Sequence, residues 1–165
     1  VYVKNFVMRV LPGPLHSFIQ EVFMQFTQIL LPVDGSSYSN NAIEYAIYLA
    51  QKTGARVTAV SCYEWLGHMP DVSETLIDQL KNNVARQAAE VLNQTSLALA
   101  KAGIDHDTEI LSGAPGTMLT NLAKSKKFDL IIMGSHGHSE ISGLFLGSVT
   151  HKVLNTIYCP VLVVP

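Results

Sequence analysis

Five short apolar runs alternating with segments of helical period constrain the fold of this 165-residue chain more than any other feature. The runs cover residues 28–33 (QILLPV), 56–63 (RVTAVSCY), 108–111, 128–133 (FDLIIM) and 160–164 (PVLVV). Runs of this length, closed by Gly, Asp or Ser, read as buried strands. Between the first two, residues 41–51 place Ile43, Ala46, Ile47 and Ala50 on one helical face, with Ser37 or Ser39 as cap and Gly54 just past the end. The longest expected helix opens on the capping-box-like pair Asp71 and Glu74. It repeats Leu76, Ile77, Leu80, Val84, Ala88, Val91 and Leu92, then runs to Ala102 before Gly103. Pro115 starts a third helix reaching about Lys126, and residues 148–155 form a fourth. Strand–helix alternation predicts an α/β fold of three layers, a five-stranded parallel sheet with helices on both faces. Ligands in such sheets bind beyond the carboxyl ends of the strands, where strand order reverses. The ends in question are Val33-Asp34, Cys62-Tyr63, Ser112-Gly113 and Met133-Gly134.

Composition narrows the classes further. The chain is 48% hydrophobic and 15% charged, which excludes a disordered protein, and its formal charge of −2 lacks the basic excess of a nucleic-acid binder. No apolar run reaches the ~18–20 residues that span a bilayer, so no membrane partner is expected. Cys62 and Cys159 show no CxxC spacing and suit a reducing compartment, so the expected location is the cytoplasm. Residues 1–25 read as an extension, a leader or tag, broken by Pro12-Gly13-Pro14; an amphipathic helix over 15–26 is the alternative. The folded domain is expected over 26–165.

Chemistry concentrates in residues 134–148, GSHGHSEISGLFLGS. Met133-Gly134 ends an apolar strand, Gly137 follows three positions on, and Gly147-Ser148 opens a helix. Glycine permits positive φ and close approach of a bulky anion to the main chain. A helix start offers unpaired N–H groups and the positive end of its dipole. Amides around 135–138 are expected to form a further anion nest. The loop is neither a Walker loop nor a GxGxxG dinucleotide fingerprint. Asp34, at the end of the first strand, faces the same side and is suited to accept ribose hydroxyls. Spacing alone leaves nucleotide binding and plain turn chemistry both open.

The chain resembles the universal stress protein family from about Gln28 to Pro165. The resemblance rests on PVDGS at 32–36, Ala42, Ala46 and Ala50, GAP at 113–115, DLIIMGSHG at 129–137, LGSVTHKV at 146–153 and CPVLVV at 159–164. The ATP-binding branch carries G-x2-G-x9-G-[ST], and Gly134, Gly137, Gly147 and Ser148 match it in full. The resemblance implies strand order 3-2-1-4-5, a flavodoxin-like or adenine nucleotide alpha hydrolase-like sheet, and a homodimer paired through the last strand near Val161–Val164. It implies adenine and ribose contacts near Pro32, Val33, Asp34 and Cys62. It implies phosphate contacts from Gly134, Ser135, His136, Gly137, Gly147, Ser148 and Val149. Met133 and His138 border these and are counted with the nucleotide site. The implied cofactor is ATP with Mg²⁺ or Mn²⁺ through its phosphates.

Other residues are weighed individually. His136 and His138 form a His-x-His pair, but no third metal ligand of matching spacing is visible, so polar contacts within the loop are expected. Lys152 reads as a phosphate contact or, more simply, a solvated lysine, and His106 as a loop residue. Cys62 and Cys159 read as packed thiols, since no base is paired with either. The loop at 65–69 (WLGHM) reads as an adenine cover or an exposed partner surface. Ligase motifs after the first strand fail, because DGSSYS lacks their paired glycines, and no general base is evident. The expectation is a nucleotide-responsive regulatory protein of the stress response and not an enzyme, with at most slow ATP hydrolysis. Alternatives are a slow ATP hydrolase, an AMP- or cyclic-AMP-binding protein, and a structural dimer with an empty cleft.

Overall fold

A computed structural model describes residues 26–64, 73–138, 146–156 and 158–165. The expected extension at 1–25, the loop at 65–69, Asp71 and the middle of the glycine loop lie outside them. The elements are β1 (Gln28–Pro32), α1 (Ser37–Thr53), β2 (Arg56–Tyr63), α2 (Glu74–Lys101), β3 (His106–Ser112), α3 (Pro115–Lys124), β4 (Leu130–Gly134), α4 (Ser148–Leu154) and β5 (Val161–Val164). All pairings are parallel, in the order β3-β2-β1-β4-β5. β1 is central, with Leu30 opposite Thr58 on one side and Ile131 on the other. The chain leaves β1 toward β2 and returns to its other flank as β4. Strand order therefore reverses at the carboxyl ends of β1 and β4, which is where an open α/β sheet leaves a crevice.

Alternation of side chains along the strands builds two cores. Ile29, Leu31, Val57, Ala59, Leu130 and Ile132 point to the α1–α2 face, where Ala42, Ala46, Ala50, Leu92 and Leu99 meet them. Leu30, Val60, Ile131 and Met133 point to the α3–α4 face, against Leu119, Ala123 and Val153. Leu30, Leu31, Ile29 and Ile132 are wholly buried. Removing such a side chain to Ala costs about 2–5 kcal/mol. The alanines of α1 lie four apart, so their stripe lets the helix axis approach the sheet closely.

Element ends differ from the sequence expectation for identifiable reasons. α1 starts at Ser37 because Ser36, not Ser37 or Ser39, is its cap, accepting from the Ser39 amide. α2 is capped by Ser73, which puts Glu74 at the first helical position and not the third. α3 stops at Lys124, and Lys126 takes a left-handed φ of 56°. β3 runs longer than 108–111. His106, read as a loop residue, is its first member, its ring held between Ser96 Oγ (2.8 Å) and the Ile104 carbonyl (2.9 Å). β3 is an edge strand with mostly exposed side chains, so its ends carry no apolar signal.

Candidate functional site

The first wall of the crevice is the end of β1 and the turn into α1. Asp34 Oδ1 accepts from the Ser36 amide (3.0 Å) and from Ser36 Oγ (2.6 Å). Ser36 is simultaneously the helix cap, so one buried serine fixes both the carboxylate and the start of α1. Gly35 makes the corner with φ +85°, a conformation costly for other residues. The second carboxylate oxygen of Asp34 faces Gly137: a Cβ built on Gly137 would lie 2.5 Å from Oδ2.

The second wall is the end of β4 and the start of α4. Here the structure corrects the reason for the glycines. Among the described residues the positive-φ glycines are Gly35, Gly54, Gly103 and Gly113, and none of the motif glycines. Gly134, Gly137 and Gly147 allow close approach instead. A Cβ on Gly134 would meet the Tyr38 backbone carbon at 2.8 Å, and one on Gly147 would meet the His136 Cα at 3.1 Å. Thr150 Oγ1, buried, donates to the Gly134 carbonyl at 2.9 Å and fastens the first turn of α4 to the end of β4. The first helical bond of α4 runs from the His151 amide to the Gly147 carbonyl, and no side chain caps the helix. The amides of Ser148, Val149 and Thr150 precede that bond, as the first amides of any helix do.

Between these walls lies a cleft of about 320 Å³, within the range of small-ligand sites. Twelve of the thirteen residues singled out from sequence line it: Pro32, Val33, Asp34 and Cys62 on one side, and Met133, Gly134, His136, Gly137, His138, Gly147, Ser148 and Val149 on the other. Ser135 does not. It is buried, its amide donates to the Val164 carbonyl (2.6 Å), and its own carbonyl accepts from the Gly147 amide (2.8 Å). The expected nest at 135–138 therefore lacks the Ser135 amide, and the Gly147 amide is likewise spent inside the protein. Val60, Leu119, Pro115, Ser39 and Thr150 also line the cleft and were missed. Of these, Pro115 in GAP and Thr150 in LGSVTHKV lie in segments that carried a sequence signal.

The two loop histidines serve different partners. The His136 ring stacks obliquely on Tyr38, with centroids 5.2 Å apart, and its Nδ1 lies 3.1 Å from Ser135 Oγ. His138 reaches back across the cleft, its Nε2 2.6 Å from the backbone oxygen of Asp34. Among the described residues no group of three or more His, Cys, Asp or Glu side chains could hold a metal ion. Lys152 is exposed, and its Nζ donates to Thr117 Oγ1 at 2.7 Å, linking α4 to α3. Burial, then the charge of Glu109, push the Cys62 thiol up to about 11. Burial and the charge of Asp129 also raise Cys159. Both thiols are therefore protonated near neutrality and poor nucleophiles. No helix among the described residues is long and apolar enough to cross a membrane.

Comparison with known proteins gives the same answer by sequence and by shape. The model of the universal stress protein family matches residues 25–165. The universal stress protein YxiE of Bacillus subtilis is 33% identical over 84% of this chain and 99% of its own length. The solved universal stress protein UspA of Lactobacillus plantarum superposes with a TM-score of 0.77 at 26% identity, covering 86% of this chain and 99% of that one. A universal stress protein solved in complex with cAMP superposes at 0.65 with 27% identity, covering 86% of this chain and 98% of that one.

Proposed function

The chain belongs to the universal stress protein family, and from that premise we propose that it is a regulatory adenine-nucleotide-binding protein whose ligand is ATP. One observation carries the reading: the cleft sits at the strand-order reversal and is apolar on its inner side, while glycines and the start of α4 form its rim. Val33, Val60, Leu119 and Met133 offer an apolar wall to a base, and the Oδ2 of Asp34 is turned toward the same space to accept from ribose hydroxyls. The early amides of α4 and the Ser148 hydroxyl present donors to a phosphate chain. Among the described residues there is no metal cage, so Mg²⁺ or Mn²⁺ would ride on the phosphate oxygens.

Among the described residues of the cleft, two candidate bases are already engaged. Asp34 already accepts two bonds from Ser36, and His138 is engaged with a backbone carbonyl. The reading is therefore of a binding protein in which occupancy sets the state that partners recognise, with at most slow hydrolysis. A relative solved with cAMP supports a second reading, a cyclic-AMP or AMP ligand, since base and ribose contacts would be shared. Pairing through β5, an edge strand, would make a homodimer of twice the 18.0 kDa chain; sedimentation equilibrium reads it directly. The deciding experiment is to denature purified protein, identify any released nucleotide by mass spectrometry, and titrate the emptied protein with Mg-ATP, AMP and cAMP. Absence of both a released nucleotide and any binding would overturn the proposal.

A further inference from the structure

The loop after β4 and the turn after β1 belong to adjacent strands whose chains diverge beyond the sheet. In the structure they are rejoined at one point. The His138 ring reaches the Asp34–Gly35 peptide, with Nε2 2.6 Å from the Asp34 oxygen and 3.8 Å from where a Gly35 Cβ would stand. One residue earlier, Gly137 lies so near the Asp34 carboxylate that a Cβ there would stand 2.5 Å from Oδ2. The carbonyl oxygen only accepts, so Nε2 must carry the proton. The bond closes a loop of 104 residues between the two walls of the cleft.

We infer that His138 is a positioning residue: its Nε2–H latches the glycine loop to the Asp34 carbonyl, so that the two walls are held at the spacing a nucleotide needs before it arrives. The inference rests on the reading of the cleft as a nucleotide site and changes the part His138 plays in it. The ring holds a wall and does not grip the phosphate. A latch of this kind works by preorganisation, sparing the ligand the cost of fixing residues 134–138 against β1 on binding. It needs a donor at the position of Nε2 and does not need a positive charge. A side chain that reaches as far and donates there, such as glutamine, should replace it. Asparagine, whose amide falls near the Nδ1 position, and alanine should not.

The test uses the full chain with ATP as probe. His138→Ala and His138→Asn are expected to weaken ATP about three- to tenfold, the worth of one neutral hydrogen bond, through faster dissociation. His138→Gln is expected to stay within twofold of wild type. An unchanged His138→Ala, or a His138→Gln as weak as alanine, overturns the latch while leaving wild-type binding intact. A failure of nucleotide binding in wild type instead overturns the underlying reading. The latch has its own check without ligand: ¹H–¹⁵N spectra of the imidazole should show the proton of neutral His138 on Nε2. A predominant Nδ1–H form would mean that the bond is not made.

Discussion

Gly137→Ala tests the geometry of the cleft with a single carbon atom. The φ of Gly137 lies outside the left-handed region, so alanine carries no backbone strain there, and the added Cβ is the whole perturbation. It would stand 2.5 Å from Asp34 Oδ2, about 0.9 Å short of ordinary contact. Two retreats are open. The carboxylate can rotate away, forfeiting its bonds from Ser36, and hydrogen bonds to charged groups are worth about 1.5–3 kcal/mol. Otherwise the loop can lift, which stretches the bond between His138 and the Asp34 oxygen. Either retreat moves a wall of the proposed site. A loss of about 1.5–3 kcal/mol corresponds to roughly a ten- to hundredfold rise in Kd. Calorimetric titration with Mg-ATP measures it, and Gly137→Val should be worse. Asp34 is exposed and the loop lies at the rim, so the fold should hold; at about 3 °C per kcal/mol for a domain of this size, retreat of the carboxylate would lower Tm by about 4–9 °C and lifting of the loop by less. The decisive control is the same substitution in an Asp34→Ala background. If the clash with the carboxylate is the cause, most of the effect of Gly137→Ala disappears there, as a coupling energy of about 1–3 kcal/mol. An equal loss in both backgrounds would place the cause elsewhere and refute the reasoning, as would a Gly137→Ala that binds within twofold of wild type.

The same motif predicts a different failure at its first glycine. Gly134→Ala drives a Cβ against the backbone of α1 at Tyr38, which cannot rotate away, so thermal unfolding should show a loss of about 1–3 kcal/mol even without ligand; an unshifted melting curve would contradict the packing. The Cys62 thiol, raised to about 11, should alkylate slowly at pH 7, with a rate still climbing at pH 10. A plateau by pH 9, followed by mass spectrometry, would show a normal thiol. At the opposite end of the sheet the Arg56 side chain hydrogen-bonds Asp107 (2.8 Å), and its charge adds to that bond in holding the Asp107 carboxyl below its ordinary range. That contribution is present above the unfolded carboxylate range and is lost as pH falls through the lower folded value. A ¹³C titration should therefore find the Asp107 midpoint below that of an exposed aspartate, returning toward it in Arg56→Gln; identical midpoints in the two proteins would dismiss the pair.

Strand order, the two-sided core and the location of the cleft were legible because periodicity and the family motif bear directly on them. What was not legible falls into two kinds. One is choice among equivalents: Ser36, Ser37 and Ser39 are all competent caps, and only the bond from Ser36 to Asp34 selects the first. Likewise β3 hides its ends because an exposed edge strand needs no apolar residues at His106 or Asp107. The other kind is contact across long sequence separation. The ties from Ser135 to Val164, Thr150 to Gly134 and His138 to Asp34 join elements that no local pattern relates. The family resemblance counted Ser135 with the site, whereas its backbone N–H and carbonyl are spent in joining β5 and α4 to β4.

The glycine spacing therefore means something other than a string of left-handed turns. Each of the three positions admits a different neighbour where a side chain would stand: Gly134 the backbone of α1, Gly137 the carboxylate of Asp34, Gly147 the backbone at His136. These three approaches bring the end of β1, the loop after β4 and the start of α4 together around one crevice. A sequence needing only turn chemistry would be free to place any residue of suitable φ at these sites. A sequence that needs three elements to converge within contact distance is not. The spacing is a packing requirement whose product is the cleft. For that reason the motif argues for a built binding site even though none of its glycines shows the left-handed backbone usually invoked for them.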